Sequence, residues 1–280
     1  MRYRPAMQDL RGATAIVTGA SRGIGVYIAR ALADEGVNLS LTARSADELE
    51  RVRTEIESMG VTAIATAGDV SIAEDRARLL ERTEAELGPL DILVNNAGLD
   101  IVRRFHEAPE SDFVDTLRIN LEAPMLLTRA VVPGMLERNS GHVVNISSGA
   151  GKVGVPGEAA YCASKHGLVG FTNALRAEYE RTGVNFSVVC PGLVSGVGMA
   201  ARWEDAGVKA PRIAGSSTPE KVAAVTVGCI KRNRSEVMVN TPPVRPLIVL
   251  ANIAPGITPF LLRKLGYSGT FERVMDKGLT

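Results

Sequence analysis

The chain has 280 residues, 45% of them hydrophobic and 22% charged, with a formal net charge of +1. That length allows one or two domains, and no Pro-, Gly- and Ser-rich linker divides the chain, so it reads as one. The even charge balance gives no argument for a nucleic-acid partner, the scattered Cys162, Cys190 and Cys229 argue against a disulfide framework and fit a reducing compartment, and His106, His142 and His166 lack metal-ligand spacing, so no metal is expected.

The N-terminus is polar, with Arg2, Arg4 and Asp9, and lacks the apolar core of a signal peptide. Cytoplasmic residence is the default expectation. Apolar, β-prone segments then recur at 13–18, 37–42, 61–66, 91–94, 142–147, 184–190 and 236–239. Helical patterns lie near 23–35, 46–59, 72–87, 111–138, 158–182 and 219–232. Alternation of nearly continuous apolar strands with helices predicts a parallel sheet covered on both faces, a doubly wound α/β fold. Ligands of such a fold sit at the carboxyl ends of the strands.

The first strand runs into Gly19-Ala20-Ser21-Arg22-Gly23-Ile24-Gly25 and then a helical pattern. Strand, glycine-rich turn and helix in that order make a phosphate cradle. Glycine lets the backbone approach a pyrophosphate, and the helix N-terminus offers free N–H groups. The spacing Gly-x-x-x-Gly-x-Gly differs from the tighter Gly-x-Gly-x-x-Gly fingerprint. The bland alternative is a tight strand-to-helix connection. The second strand ends at Ala43-Arg44, where an NAD-selective site would carry a carboxylate for the ribose 2′-hydroxyl. Arg22 and Arg44 are instead suited to a 2′-phosphate, which guanidinium groups hold by charge-assisted bonds. This favours NADP(H) over the reading of both as solvated surface charges.

In the fourth helical stretch, Pro124 cannot donate to the carbonyl of Asn120, so that carbonyl is left free and the helix should bend there. The fifth strand ends in Ser147-Ser148. Alternation along a strand turns only one of these hydroxyls toward a cofactor. Tyr161 and Lys165 stand four residues apart, one helical turn on one face. A phenol with a pKa of about 10 is a poor proton shuttle at neutral pH, and a neighbouring ammonium is expected to pull that value down.

Thr18-Gly19-x-x-x-Gly23-Ile24-Gly25, Asn95-Asn96-Ala97-Gly98, Asn120, Ser148, Tyr161-x-x-x-Lys165 and Pro191-Gly192 occur in order. Over residues 10–240 the chain thereby resembles the short-chain dehydrogenase/reductase family. The resemblance implies a single-domain, doubly wound Rossmann-type parallel sheet of about seven strands. It implies catalytic roles for Asn120, Ser148, Tyr161 and Lys165, and its spacing selects Ser148 over Ser147. It implies NADP(H) contacts at Gly19, Ser21, Arg22, Gly23, Ile24, Gly25 and Arg44, at Asp69 and Val70, at Asn96, Ala97 and Gly98, at Tyr161 and Lys165, and at Pro191, Gly192 and Val194. In the family the carbonyl matching Asn120 holds a water on a proton path; a simple proline kink is the compatible alternative. Gly196 stands where the family carries a threonine on the nicotinamide amide, so that bond is lost or moved to Ser195.

The implied activity is NADP(H)-dependent interconversion of a ketone and a secondary alcohol. A 3-oxoacyl thioester and a sterol-like or other lipophilic ketone are the candidate substrates, and a non-catalytic NADP(H)-binding sensor or scaffold is the rival reading. Homo-oligomers are common in the family. Residues 196–218, with Met199, Trp203 and Val208, read as a substrate lid. Residues 241–280 form an apolar extension beyond the catalytic domain of residues 1–240. Leu247 to Leu265 approaches a membrane span in length, but Asn252, Pro255, Gly256 and Pro259 interrupt it. Packing on the pocket, contact with a partner subunit, or peripheral membrane contact through 245–265 are the open uses, the first two favoured.

Overall fold

The computed structural model describes residues 7–208, 215–243, 245–253, 256, 260, 263–264 and 266–278. Seven strands form one parallel sheet: β1 (Thr14–Thr18), β2 (Asn38–Ala43), β3 (Ala63–Ala67), β4 (Ile92–Asn95), β5 (Gly141–Ile146), β6 (Val184–Pro191) and β7 (Glu236–Val239). Their order across the sheet is β3-β2-β1-β4-β5-β6-β7. The chain moves outward from β1 to β3, then crosses back to place β4 against the free side of β1. Connections reverse direction at that point, so a crevice opens beyond the carboxyl ends of β1 and β4.

Period-two alternation sorts the core. Ala15 and Val17 of β1 face one side, with α1 (Ile24–Asp34), α2 (Ala46–Glu57) and α8 (Pro219–Arg232) packed over them. Ile16 faces the other side, with α3 (Ala73–Leu87), α5 (Ala123–Glu137) and α6 (Ala159–Glu178). Strands buried on both faces must be apolar throughout, and all five residues of β1 and all eight of β6 are buried.

The helical pattern at 111–138 proves to be two helices. α4 (Glu110–Leu117) leads into a π-turn, Arg118–Glu122, and then α5. The Ala123 amide reaches five residues back to the carbonyl of Arg118. Pro124 has no N–H to continue the ordinary ladder, so the extra residue is absorbed as a wider turn. Asn120 sits within that turn and is fully buried.

Of residues 196–218, which the sequence suggests as a lid, Gly198–Asp205 form α7, and residues 209–214 lie outside the described set. Beyond β7 the chain forms α9 (Arg245–Ile253) and α10 (Tyr267–Asp276). α10 packs on α7: the Phe271 ring meets Trp203 edge-on, centroids 5.0 Å apart. Val102, Val208 and Val274 close the same apolar cluster. Arg104 donates to Asp276 at 2.7 Å, and Lys277 Nζ donates to the carbonyl of Ala206 at 2.8 Å. α9 leaves Val249, Leu250 and Ile253 exposed. Among the described residues no helix is long and apolar enough to cross a membrane. The α10 contact carries a buried aromatic pair, so Phe271→Ala should cost about 3 kcal/mol. Chemical denaturation of the variant against the parent measures it, and an unchanged midpoint would show that α10 is not anchored through this ring.

Candidate active site

The nucleotide end of the site is built where β1 and β4 stop. Gly23 caps α1 with φ of 61°, a left-handed backbone that glycine adopts without cost. Gly25 is required for a different reason: a Cβ there would lie 2.1 Å from the carbonyl oxygen of Gly19. The Thr18 hydroxyl accepts hydrogen bonds from the amides of Asn96 and Ala97, both at 2.9 Å. Asn96 Nδ2 answers by donating to the carbonyls of Thr18 at 2.9 Å and Gly19 at 3.2 Å. The glycine loop and the loop after β4 are therefore one hydrogen-bonded unit. Asp69 accepts from the Ser71 amide at 2.8 Å, while its own amide donates to Asp75 at 2.7 Å, which fixes the turn after β3.

These loops line a cleft of about 810 Å³. Gly19, Ser21, Arg22, Gly23, Ile24, Arg44, Asp69, Val70, Asn96, Ala97, Gly98, Pro191, Gly192 and Val194 all border it, together with Ser148, Tyr161 and Lys165. Gly25 lies behind the loop rather than on its surface. Arg22 and Arg44 are exposed at the β1 and β2 side. Neither forms a hydrogen bond or ion pair with a described residue. Ser45 and Glu48, which the sequence reading did not single out, border the cleft beside Arg44. Three strand spacings separate β2 from β5, about 14 Å.

At the β5 side the reactive groups converge. Ser147 is turned inward and donates to the carbonyl of Lys165 at 3.0 Å, whereas Ser148 faces the cleft within hydrogen-bonding reach of the Tyr161 phenol. Lys165 Nζ donates to the carbonyl of Ile146 at 3.0 Å and lies 5.5 Å from the centre of the Tyr161 ring. Asn120 uses its side chain as a clamp: Oδ1 accepts from the Leu99 amide and Nδ2 donates to the Leu99 carbonyl, each at 2.7 Å. Its Nδ2 also donates to Ser164 at 3.2 Å, joining the loop after β4 to α6. Ser195 does not replace the missing threonine, because its hydroxyl donates to the carbonyl of Ser217 at 3.1 Å. Gly196 adopts φ of 74° and a Cβ there would meet nothing within 4 Å.

The electrostatics correct one expectation. Tyr161 was expected to be made more acidic by Lys165. Instead burial raises its pKa well above the ordinary phenol value, and the carboxyls of Asp100 and Glu158 raise it further. Lys165 is itself depressed by burial, to about 8, which weakens its pull on the phenol. Asp100 is raised to about 6 by burial, opposed by Arg202 and Lys165. Glu158 is raised well above the usual carboxylate range by burial and then by Asp100. The sequence reading missed both acids. Only one local signal was available, the position of Glu158 three residues before Tyr161, at the N-cap of α6.

The three thiols and the His142 imidazole are buried. Cys162, Cys190 and Cys229 are buried free thiols, and burial raises their pKa to about 11, 12 and 11. His142 is buried with Nε2 2.8 Å from the Ser187 hydroxyl and is depressed to about 3 by burial. No group of three metal-ligating side chains occurs among the described residues.

The fold and this cleft agree with what sequence comparison finds. The family model for short chain dehydrogenases matches residues 13–207. The chain belongs to the short-chain dehydrogenase/reductase family. Among curated relatives, ketoacyl reductase HetN of Nostoc sp. is 43% identical over 250 residues, covering 89% of this chain and 86% of that protein. The 3-oxoacyl-[acyl-carrier-protein] reductase FabG of Staphylococcus aureus is 37% identical over 185 residues, 65% of this chain and 74% of FabG. Among solved structures, an actinorhodin polyketide ketoreductase variant with NADPH superposes with a TM-score of 0.75 at 34% identity, covering 85% of this chain and 97% of that one. A metagenomic short-chain oxidoreductase in complex with NADP gives a TM-score of 0.70 at 35% identity, covering 82% and 97%.

Thr18→Val tests the two-loop unit. It keeps the shape but leaves two amides without an acceptor, which should lower stability by about 1–3 kcal/mol. It should also loosen the glycine loop, so a denaturation midpoint unchanged from the parent would show that the clamp carries no stability.

Proposed function

We propose that this protein is an NADP(H)-dependent ketoreductase that interconverts a lipophilic ketone and its secondary alcohol. The observation that carries the reading is the convergence of Ser148, Tyr161 and Lys165 at one side of a cleft whose other side presents two unpaired guanidinium groups. NADPH, when bound, supplies the hydride. Arg22 and Arg44 would hold its 2′-phosphate, and the N-terminus of α1 behind Gly23 would face the pyrophosphate. The two cofactor-bearing neighbours named above contain NADP and NADPH, which supports the same choice.

Reduction needs a proton donor at the carbonyl oxygen. A phenol raised by burial stays protonated across the neutral range, which suits Tyr161 to give that proton in the reducing direction. The Ser148 hydroxyl donates to the same oxygen and stabilises its developing charge. Lys165, held by the Ile146 carbonyl with its ammonium 5.5 Å from the centre of the phenol ring, would hold the ribose hydroxyls of the nicotinamide half. Asn120 keeps Leu99 and α6 in register with one another, so it acts as a positioning residue as well as offering a backbone carbonyl. Leu99, Leu193 and Val197 give the cleft an apolar wall for the body of the substrate. The ketoacyl reductase relatives make a 3-oxoacyl thioester the first substrate to try.

Tyr161→Phe should lose about a hundredfold or more in turnover while NADPH binding persists. Stopped assays on a panel of ketones, with NADPH titrated by fluorescence, separate the two; near-parent turnover would remove Tyr161 from the chemistry. Arg22→Ala with Arg44→Ala should cost NADPH about tenfold or more in KM and leave NADH little affected. Equal losses for both cofactors would place the 2′-phosphate elsewhere.

A further inference from the structure

The two helices beyond β7 differ in where they put their apolar residues. α10 turns them inward, and Phe271 and Val274 are buried with Trp203 and Val102. α9 does not. Its Ile248 is buried, but Val249, Leu250 and Ile253 are 49%, 46% and 77% exposed, and Phe260 beyond it is 52% exposed. Val249, Leu250 and Ile253 stand at i, i+1 and i+4, which places them on one face of the helix. Among the described residues, four of the eight exposed large apolar side chains thus fall within residues 249–260. Such a concentration marks a contact surface, unlike single apolar residues scattered over a surface.

Charge narrows the choice of partner. From Val237 to Phe271 the sequence contains no Asp or Glu, although the whole chain carries 31 of them. The charged residues of that stretch are Arg245, Arg263 and Lys264, all basic. Arg263 and Lys264 are exposed, and the Lys264 ammonium lies 5.8 Å from the centre of the Phe260 ring. An apolar face bordered by cations and free of acids complements the boundary of an anionic bilayer. There apolar side chains enter the acyl region while lysine and arginine stay at the phosphates. A second copy of this chain is a poorer match. A two-fold contact presents the same patch from both sides, so cations would face cations with no acid of the segment to answer them.

α9 has nine residues, about 14 Å of helix against a hydrocarbon core of about 30 Å, so it can lie along a membrane but not cross one. We propose that residues 245–264 dock the protein on the surface of a membrane containing anionic phospholipid. Val249, Leu250, Ile253 and Phe260 enter the acyl boundary, and Arg263 and Lys264 meet the headgroups. Just before α9, a Cβ on Gly192 would lie 2.5 Å from Asn240 Oδ1, and Thr241 pairs with Ser216; Gly192 borders the cleft. After it, α10 rests on α7, whose Ala200 and Arg202 also border the cleft. The docking segment is thus joined at both ends to elements of the cleft, which suits the lipophilic substrate proposed above.

Co-sedimentation of the full chain with vesicles tests the proposal without substrate or cofactor, so its outcome is independent of the ketoreductase reading. Vesicles of equal parts phosphatidylcholine and phosphatidylserine should pellet the protein, with an affinity about tenfold or more above that for phosphatidylcholine alone. Leu250→Asp combined with Ile253→Asp should weaken binding to the mixed vesicles about tenfold or more. Arg263→Ala combined with Lys264→Ala should weaken it about tenfold, toward the level on phosphatidylcholine, and added salt should act in the same direction. All four positions are exposed, so the thermal midpoint and NADPH affinity of each double variant should match the parent. If the aspartate pair unfolds the chain, the alanine pair and the salt titration decide. No sedimentation with the mixed vesicles, equal affinity for the two vesicle types, or full retention by either folded double variant would each overturn the proposal. A dimer in analytical ultracentrifugation that the aspartate pair dissociates, with no vesicle binding, would assign the face to a second copy instead.

Discussion

A charged ammonium buried at the end of β5 is the constraint around which the site is arranged. Lys165 is 3% exposed and donates to the carbonyl of Ile146. Burying a cation costs several kcal/mol unless acceptors and opposite charge surround it. The backbone carbonyl at the strand end supplies an acceptor, and Asp100 supplies the opposite charge. Neither can be moved independently. Asp100 rides on the loop that Asn120 clamps at Leu99, and Asn120 is itself held by the π-turn and by Ser164 on α6. The reactive helix, the loop after β4 and the interrupted α4–α5 pair are thus tied to one another through a few buried polar bonds.

How much of this was legible in the chain depends on whether the signal was local. The strands were, because burial on both faces forces uninterrupted apolar runs such as Val143-Val144 and Val188-Val189. The phosphate loop was, because steric demand at Gly25 and left-handed backbone at Gly23 leave only glycine. Ser148 over Ser147 was legible only through the family spacing, since strand alternation says that one hydroxyl faces the cleft and not which one. Pro124 gave the interruption of the long helix but not its form, since a missing N–H can be accommodated by a kink or by a π-turn. The phenol's acidity was misjudged for a different reason. A spacing of four residues shows that Lys165 shares a face with Tyr161; it does not show how deeply both are buried or which acids lie across the cleft. Asp100 reaches Tyr161 only through the fold, sixty-one residues away in sequence.

That asymmetry divides the site into two layers. The hydrogen bonds of Thr18, Asn96 and Asn120 are made to backbone atoms, so they specify a loop geometry and are indifferent to the substrate. The groups facing the remaining space are different in kind. Asp100 and Arg202 are ionisable, and Leu193 and Val197 are apolar. None of these is needed to hold the cofactor loops together. On the reading proposed above, they border the space left for the substrate.

The C-terminal helix belongs to that second layer. α10 does not extend the sheet or complete either face of the core. Among the described residues it meets α7, the segment following Asp100 and the turn before α6, through Trp203, Val102, the Arg104–Asp276 pair and Met275 beside Gly157. Any motion that opens α7 must therefore break an aromatic contact and an ion pair made by residues beyond position 266. Gly196 and Gly198, both at positive φ, lie at the opposite end of α7 from that contact. A helix fastened in this way ties the wall of the cleft at Leu193 to residues far along the chain, Phe271 and Val274.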